Sequence, residues 1–262
     1  MSNFTVPSKK PKTRFLSLAG ISITVMIVLG GAYQAYRYLK NPESNRWLQY
    51  RAYLHDRSQF DEKILRPGMR CGDAPFAFPT TGVIFGLWDQ SYRPGHRHSG
   101  VDIFAGTEPG VTPVYAVYPG YLSRGVDWLS TVIIRHPSDP LQPGRQIWTY
   151  YTHMASEDGK TSFVSPDFPP GTEEVFVEAG TFLGYQGNYS GTPNNPTGLH
   201  LHFSIVKDDG YGNFLNELDI ENTYDPSPYF NLMLNQNDNP DGFPICDTDK
   251  YFEDWELVAG DE

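Results

Sequence analysis

The chain has 262 residues, of which 39% are hydrophobic, 15% aromatic and 19% charged, with 25 Gly, 22 Pro and two Cys; this excludes a disordered chain, a collagen and a disulfide-dense mini-protein. The formal charge of -11 is unevenly spread, with 12 Lys/Arg against 4 Asp/Glu in residues 1–70 and 8 against 27 in residues 71–262. The acidic bulk excludes a polyanion held by charge, so no nucleic-acid partner is expected. Abundant Gly and Pro with many Tyr, Phe and Thr favour a turn-rich β fold over a helical bundle.

Residues 1–14 read as a basic cytoplasmic tail carrying Lys9, Lys10, Lys12 and Arg14. The next 22 residues, 15–36, hold no charge, and about 20 helical residues cross a hydrocarbon core. This predicts a single-pass transmembrane helix, with the N-terminus cytoplasmic and the rest extracytoplasmic in contact with the cell membrane. The competing reading, a cleaved signal peptide, requires a shorter apolar run and a small-residue cleavage site. Ala32-Tyr33-Gln34-Ala35 fits that poorly. Residues 37–70 are expected as a juxtamembrane helical stalk. It starts at Asn41-Pro42-Glu43-Ser44, runs to about Leu65 with Trp47, Tyr50 and Leu54 on one face, and stops at Pro67-Gly68. That face would offer a weak dimerising surface.

From Cys71 to Asn235 short β-like runs alternate with turns. Strands are expected at Thr81–Gly86, Val101–Phe104, Pro113–Val117, Gly120–Ser123, Thr131–His136, Trp148–His153, Thr181–Gln186 and Leu199–Val206. Residues 236–262 form an acidic tail with nine acids against one Lys, in which Tyr251, Phe252 and Trp255 could dock. Cys71 and Cys246, both on the external side, are expected to form a disulfide joining the domain's entry to its exit; two unpaired buried thiols are the alternative.

Chemistry concentrates in the histidines. In Leu199-His200-Leu201-His202-Phe203-Ser204-Ile205, strand alternation sends the apolar side chains to the core and His200, His202 and Ser204 to the opposite face. In His98-Ser99-Gly100-Val101-Asp102, the acid sits among apolar strand formers, where a carboxylate is costly unless paired, hydrogen-bonded or on a metal. His98, Asp102 and His202 together suit a catalytic zinc with a fourth position open to water. His153 closes the aromatic run Trp148–Met154 and is expected on the face of Thr149 and Tyr151.

Across 82–235 the chain resembles the lysostaphin-type, or LytM-type, zinc endopeptidases of bacterial cell walls. The resemblance rests on His98-Ser-Gly-Val-Asp102, Ala105-Gly-Thr, Pro113-Val-Tyr-Ala116 with Gly120, Ile133-Ile-Arg-His136, Tyr151-Thr-His153-Met and Thr197-Gly-Leu-His200-Leu-His202-Phe, in family order. It implies a mainly β fold: an antiparallel sheet with a long open groove, the duplicated hybrid motif, over residues 71–235. It also implies one Zn2+ per chain on His98, Asp102 and His202, and an unliganded catalytic pair, His153 and His200. His136 matches a position outside the metal site and His96 lacks an Asp four residues on; His55 lies in the stalk, solvated. Ser204 departs from the acidic residue common in the family, and the loops 137–146, 155–171 and 187–198 look extended, which bears on specificity.

The function implied is hydrolysis of peptide bonds in peptidoglycan stems or cross-links by metal-activated water, with the peptidoglycan peptide as substrate. The competing reading is a non-catalytic anchored scaffold that binds or activates other cell-wall or division proteins.

Overall fold

The computed structural model describes residues 14–91, 95–238 and 242–246, with side chains from residue 20 onward. Two helices, α1 (Arg14–Lys40) and α2 (Pro42–His55), precede the strands β1 (Val83–Gly86), β2 (Val101–Phe104), β3 (Pro113–Tyr115), β4 (Gly120–Ser123) and β5 (Val132–His136). Then come β6 (Ile147–Thr152), β7 (Val175–Val177), β8 (Phe182–Tyr185), β9 (Leu201–Lys207), β10 (Thr223–Tyr224) and α3 (Ser227–Phe230). The large sheet is antiparallel, in the order β1-β2-β9-β6-β5-β4-β7, with β10 on β9; β3 and β8 pair separately. All eight expected strands are present: Val101–Phe104 and Gly120–Ser123 with the expected bounds, the other six with ends moved by one or two residues. Val175–Val177 and Thr223–Tyr224 are too short to leave an alternating pattern and were not anticipated.

One face of the large sheet and the β3–β8 pair enclose the main core. Val101, Ile103, Leu201, Phe203 and Ile205 pack there with Phe76, Phe78 and Phe230. The strand β9 lies between β2 and β6, and its register places Asp102 and Thr152 directly beside His202 on either side. Residues on the face away from the core therefore line up across three strands.

The stretch expected to span a membrane is helical within α1, and its Ile21, Met26, Ile27, Val28 and Leu29 are exposed. Among the described residues no helix is long and apolar enough to cross a membrane. The side chains of residues 14–19, which open the expected span, lie outside the described residues.

The segment expected as a stalk packs on the sheet. Asn41 caps α2 by accepting from the Glu43 N–H at 3.0 Å, with Pro42 at the first helical position. The helix ends at His55 rather than near Leu65, because Asp56 turns extended and starts a short 3-10 helix, Arg57–Lys63, by accepting from Ser58 N–H. Tyr53 is fully buried, and its hydroxyl donates to the Ala105 carbonyl at 2.5 Å. Tyr50 stacks on Phe85 with centroids 4.5 Å apart, and Arg46 donates to Gln236 at 2.9 Å. The physical cause is the apolar outer surface of β1 and β2, where Val83, Phe85 and Phe104 need cover. Phe243 closes the same cluster against Tyr53 and Phe60, whereas Tyr251, Phe252 and Trp255 lie outside the described residues. The expected disulfide Cys71–Cys246 is present and spans 175 residues.

Two stability outcomes follow. Tyr53→Ala should cost about 3–5 kcal/mol, the range for emptying a large aromatic site in a core, read by chemical denaturation; a loss under 1 kcal/mol would show that α2 is a loose appendage. Reducing the disulfide should lower the unfolding midpoint by the equivalent of about 2–5 kcal/mol, read by the same titration with and without reductant.

Candidate metal centre

His98, Asp102 and His202 arrive from two adjacent strands and the turn before one of them. Asp102 and His202 are register partners in β2 and β9. The turn Ser99-Gly100 folds His98 back over them, and it needs glycine: a Cβ on Gly100 would stand 2.3 Å from the Phe203 carbonyl oxygen and 2.9 Å from His202 Nε2. The three side chains are buried and offer ligand atoms that all lie within 4.8 Å of one another. His202 Nδ1 is 2.9 Å from Asp102 Oδ1, and His98 Nε2 is 3.0 Å from His202 Nδ1 and 3.1 Å from Asp102 Oδ1.

Hydrogen bonds decide which ring nitrogen faces inward. His98 Nδ1 lies 2.9 Å from the Leu87 carbonyl oxygen; a carbonyl only accepts, so Nδ1 carries the proton and Nε2 of the neutral ring is a lone pair. His202 Nε2 donates to Glu217 Oε1 at 2.8 Å, leaving Nδ1 as the inward lone pair. Two nitrogen lone pairs and a carboxylate oxygen thus converge, an arrangement of mutual repulsion unless a cation or a proton occupies it. The donor set, two imidazoles and one carboxylate with room for a fourth ligand, matches catalytic zinc, so the residues present fit the metal.

Two further imidazoles adjoin this centre. His200 precedes β9 and faces the site as the alternation predicts; its Nδ1 donates to the Gly198 carbonyl at 3.0 Å and its Nε2 lies 3.4 Å from Asp102 Oδ1. Its ring stacks on Phe104 with centroids 4.8 Å apart. His153 does not share the face of Thr149 and Tyr151. Those two point into the core, fully buried, while β6 ends at Thr152 and His153 adopts φ +74°. That left-handed turn, unusual for a residue other than glycine, swings the ring onto the opposite face, where its centroid is 4.7 Å from His200 and 5.9 Å from His202. Its Nδ1 donates to the Tyr189 carbonyl at 2.7 Å. Local strand periodicity could not show this, because the reversal occurs at a single residue.

The electrostatics sort the rings. Burial pushes His153 down to about 3, with His200 and His202 adding to the effect; burial also lowers His200, partly offset by Asp102. For His202 burial acts in the same direction, but the carboxylates of Glu217 and Asp102 outweigh it and push the ring up to about 10. Burial likewise opposes the charge of Asp102, yet the surrounding histidines, His98 first, hold it well below the usual carboxylate range.

The other histidines sit as expected. His136 is a fully buried structural residue between the Pro119 carbonyl and the Thr149 hydroxyl. His96 lines the groove beside the centre without joining the ligand cluster, and His55 is exposed at the end of α2. No local pattern marks Glu217, which lies in a polar loop 15 residues after His202, or shows that Trp47 and Tyr50 of α2 form a wall of the groove, about 720 Å³ in volume. The apolar spacing of those two aromatics was visible, but not what they would cover.

No protein-family model and no curated protein sequence matches the chain. Several solved structures are similar to it. The catalytic domain of the antimicrobial peptidase lysostaphin from Staphylococcus simulans is 19% identical, covers 61% of this chain and 93% of its own, and gives a TM-score of 0.35. A putative M23 peptidase from Pseudomonas aeruginosa is 20% identical over 70% of this chain and 60% of its own, with a TM-score of 0.35. A putative glycyl-glycine endopeptidase LytM from Ruminococcus gnavus is 20% identical over 60% of this chain and 59% of its own, with a TM-score of 0.36.

The ring environments set the pH dependence of the metal-free chain. Burial brings His136 down to about 4, and His153 lies near 3. Unfolding therefore takes up protons below the ordinary imidazole value of about 6.5, and stability falls on acidification. For His136 alone the loss approaches roughly 3 kcal/mol by pH 4. His202, raised to about 10, contributes stability below about 6.5 that is lost as pH climbs through its folded value. The melting temperature in chelator should thus peak near pH 6.5; a continuous rise to pH 9 would contradict the assigned ring environments.

Proposed function

We propose that this chain is a membrane-anchored zinc metalloendopeptidase that hydrolyses peptide bonds in peptidoglycan stems or cross-links. One observation carries the reading: the cluster of His98, Asp102 and His202 is flanked by two further imidazoles, His200 with its Nε2 3.4 Å from Asp102 Oδ1 and His153 with its ring centroid 5.9 Å from His202. A structural metal site would need the first three and have no use for the other two.

Zinc held there would polarise the scissile carbonyl and bring the pKa of a water in its open position to about 7. The chain's residues supply the proton traffic. His153 and His200, both kept neutral by burial, offer Nε2 as proton acceptor from water and, once protonated, as donor to the leaving amine and the oxyanion. The Tyr189 and Gly198 carbonyls hold each ring in the tautomer that makes this possible. Both cysteines are tied in the disulfide, and Ser99, beside the centre, donates its hydroxyl to Glu217 at 2.8 Å. Neither a thiol nor that serine is placed to form an acyl-enzyme, so direct hydrolysis is favoured.

The groove, lined by Trp47, Tyr50 and Phe85 and by Tyr189–Gly191, is where an extended peptide substrate would lie. Anchoring rests on the uncharged run 15–36 and on the apolar residues that α1 exposes; the disulfide fits an oxidising exterior. On this reading the N-terminus is cytoplasmic, the peptidase domain is extracytoplasmic, and cell-wall and division proteins are its neighbours.

The test uses the full chain in detergent with purified peptidoglycan, reading zinc content and released peptide amines. Wild type should bind one zinc and release amines. His98→Ala and His202→Ala should lose both, while His153→Ala and His200→Ala should keep zinc and lose about 10²–10⁴-fold in rate. A wild-type chain that binds wall and zinc yet releases no amine would instead make this a scaffold.

A further inference from the structure

The buried carboxylate of Glu217 belongs to no part of the set just described. It comes from the loop between β9 and β10, yet it touches a ligand: Oε1 accepts from His202 Nε2 at 2.8 Å, from the Ser99 hydroxyl at 2.8 Å and from the Ser204 hydroxyl at 3.2 Å. Glu217 is 9% exposed and Ser204 is fully buried. The inner face of β9 therefore offers only a hydroxyl next to the ligand His, and the negative charge is brought in from 13 residues further along the chain. Its three donors come from two places: Ser99 in the turn before β2, and His202 and Ser204 at successive same-face positions of β9.

We infer that Glu217 is a positioning residue for the metal centre, fixing the ring of His202 so that Nδ1 rather than Nε2 faces the cation, with Ser99 and Ser204 holding the carboxylate in place. This rests on the zinc reading above. A carboxylate accepting the outer N–H of a ligand imidazole fixes its tautomer and raises its basicity, and losing such a partner costs about 10–100-fold in metal affinity. Because Ser204 Oγ is already in contact with Glu217 Oε1, a carboxylate grown from position 204 would fill the space Glu217 leaves and reach the same ring nitrogen.

The experiment measures zinc affinity of the full chain by competition with a chromophoric chelator, and the ring N–H signals of 15N-histidine-labelled protein, for wild type, Glu217→Gln, Glu217→Ala and Ser204→Glu/Glu217→Ala. Glu217→Ala should bind zinc 10–100-fold more weakly and lose the protected His202 Nε2–H signal. The Nδ1–H signals of His98, His153 and His200, which donate to backbone carbonyls, should persist and report an intact fold. Glu217→Gln, whose amide oxygen can still accept, should keep the signal and lose less affinity. The double variant should recover most of the affinity. A loop-holding role alone would lower the melting temperature of Glu217→Ala while leaving the His202 signal and zinc affinity within twofold of wild type, and that result overturns the inference. Wild type taking up zinc with such an unchanged variant removes only the role of Glu217; wild type taking up none removes the metal reading and this inference with it.

Discussion

Four imidazole rings meet in one buried place, and each has its proton committed elsewhere. Leu87, Tyr189 and Gly198 take the Nδ1–H of His98, His153 and His200 through backbone carbonyls, and Glu217 takes the Nε2–H of His202. In the neutral rings the remaining nitrogens are lone pairs, and without a cation His202 takes a second proton between the carboxylates of Glu217 and Asp102. The consequence is a place where nitrogen and oxygen donors converge with room for a proton or a cation, beside two further rings that burial keeps neutral. Since the anchors are mostly main-chain, they are as rigid as the sheet and the loops that carry them.

The sheet supplies the other half of the arrangement. The register of β2 on β9 and of β9 on β6 sets Asp102, His202 and Thr152 in one row, and a one-residue slip of β9 would send His202 to the opposite face, away from the other two. Leu201, Phe203 and Ile205, all fully buried on the other side, make such a slip prohibitive. The apolar half of the strand thereby guards the polar half.

Much of this was legible beforehand. Leu199–Ile205 states its own alternation, and the spacing of His98 from Asp102 around Gly100 states a turn. What could not be read were features decided by distant packing. His153 leaves its strand face through one left-handed residue. Glu217 reaches its partners from an unremarkable polar loop. Tyr53, with an ordinary helical pattern around it, turns out to be fully buried because β1 and β2 happen to present Val83 and Phe104 to it. In each case the local sequence fixes the residue's type but the partner lies outside the local pattern, from 13 residues away for Glu217 and Ser204 to 52 for Tyr53 and Ala105.

The contribution of α2 to the groove has an implication for how such a molecule can diversify. The four clustered histidines and Asp102 all lie between residues 98 and 202, whereas Trp47 and Tyr50 reach the rim from α2, a helix that also packs on β1 and β2 through Tyr53. Changes at Trp47, which is exposed at the groove, can reshape the entrance while the ring nitrogens stay where the carbonyls hold them, whereas changes at Tyr53 would also disturb the end of the strand that carries Asp102. The contour of the entrance and the placement of the rings thus come from separate stretches of chain that meet in one aromatic cluster, so only the outward positions of the helix are free to drift.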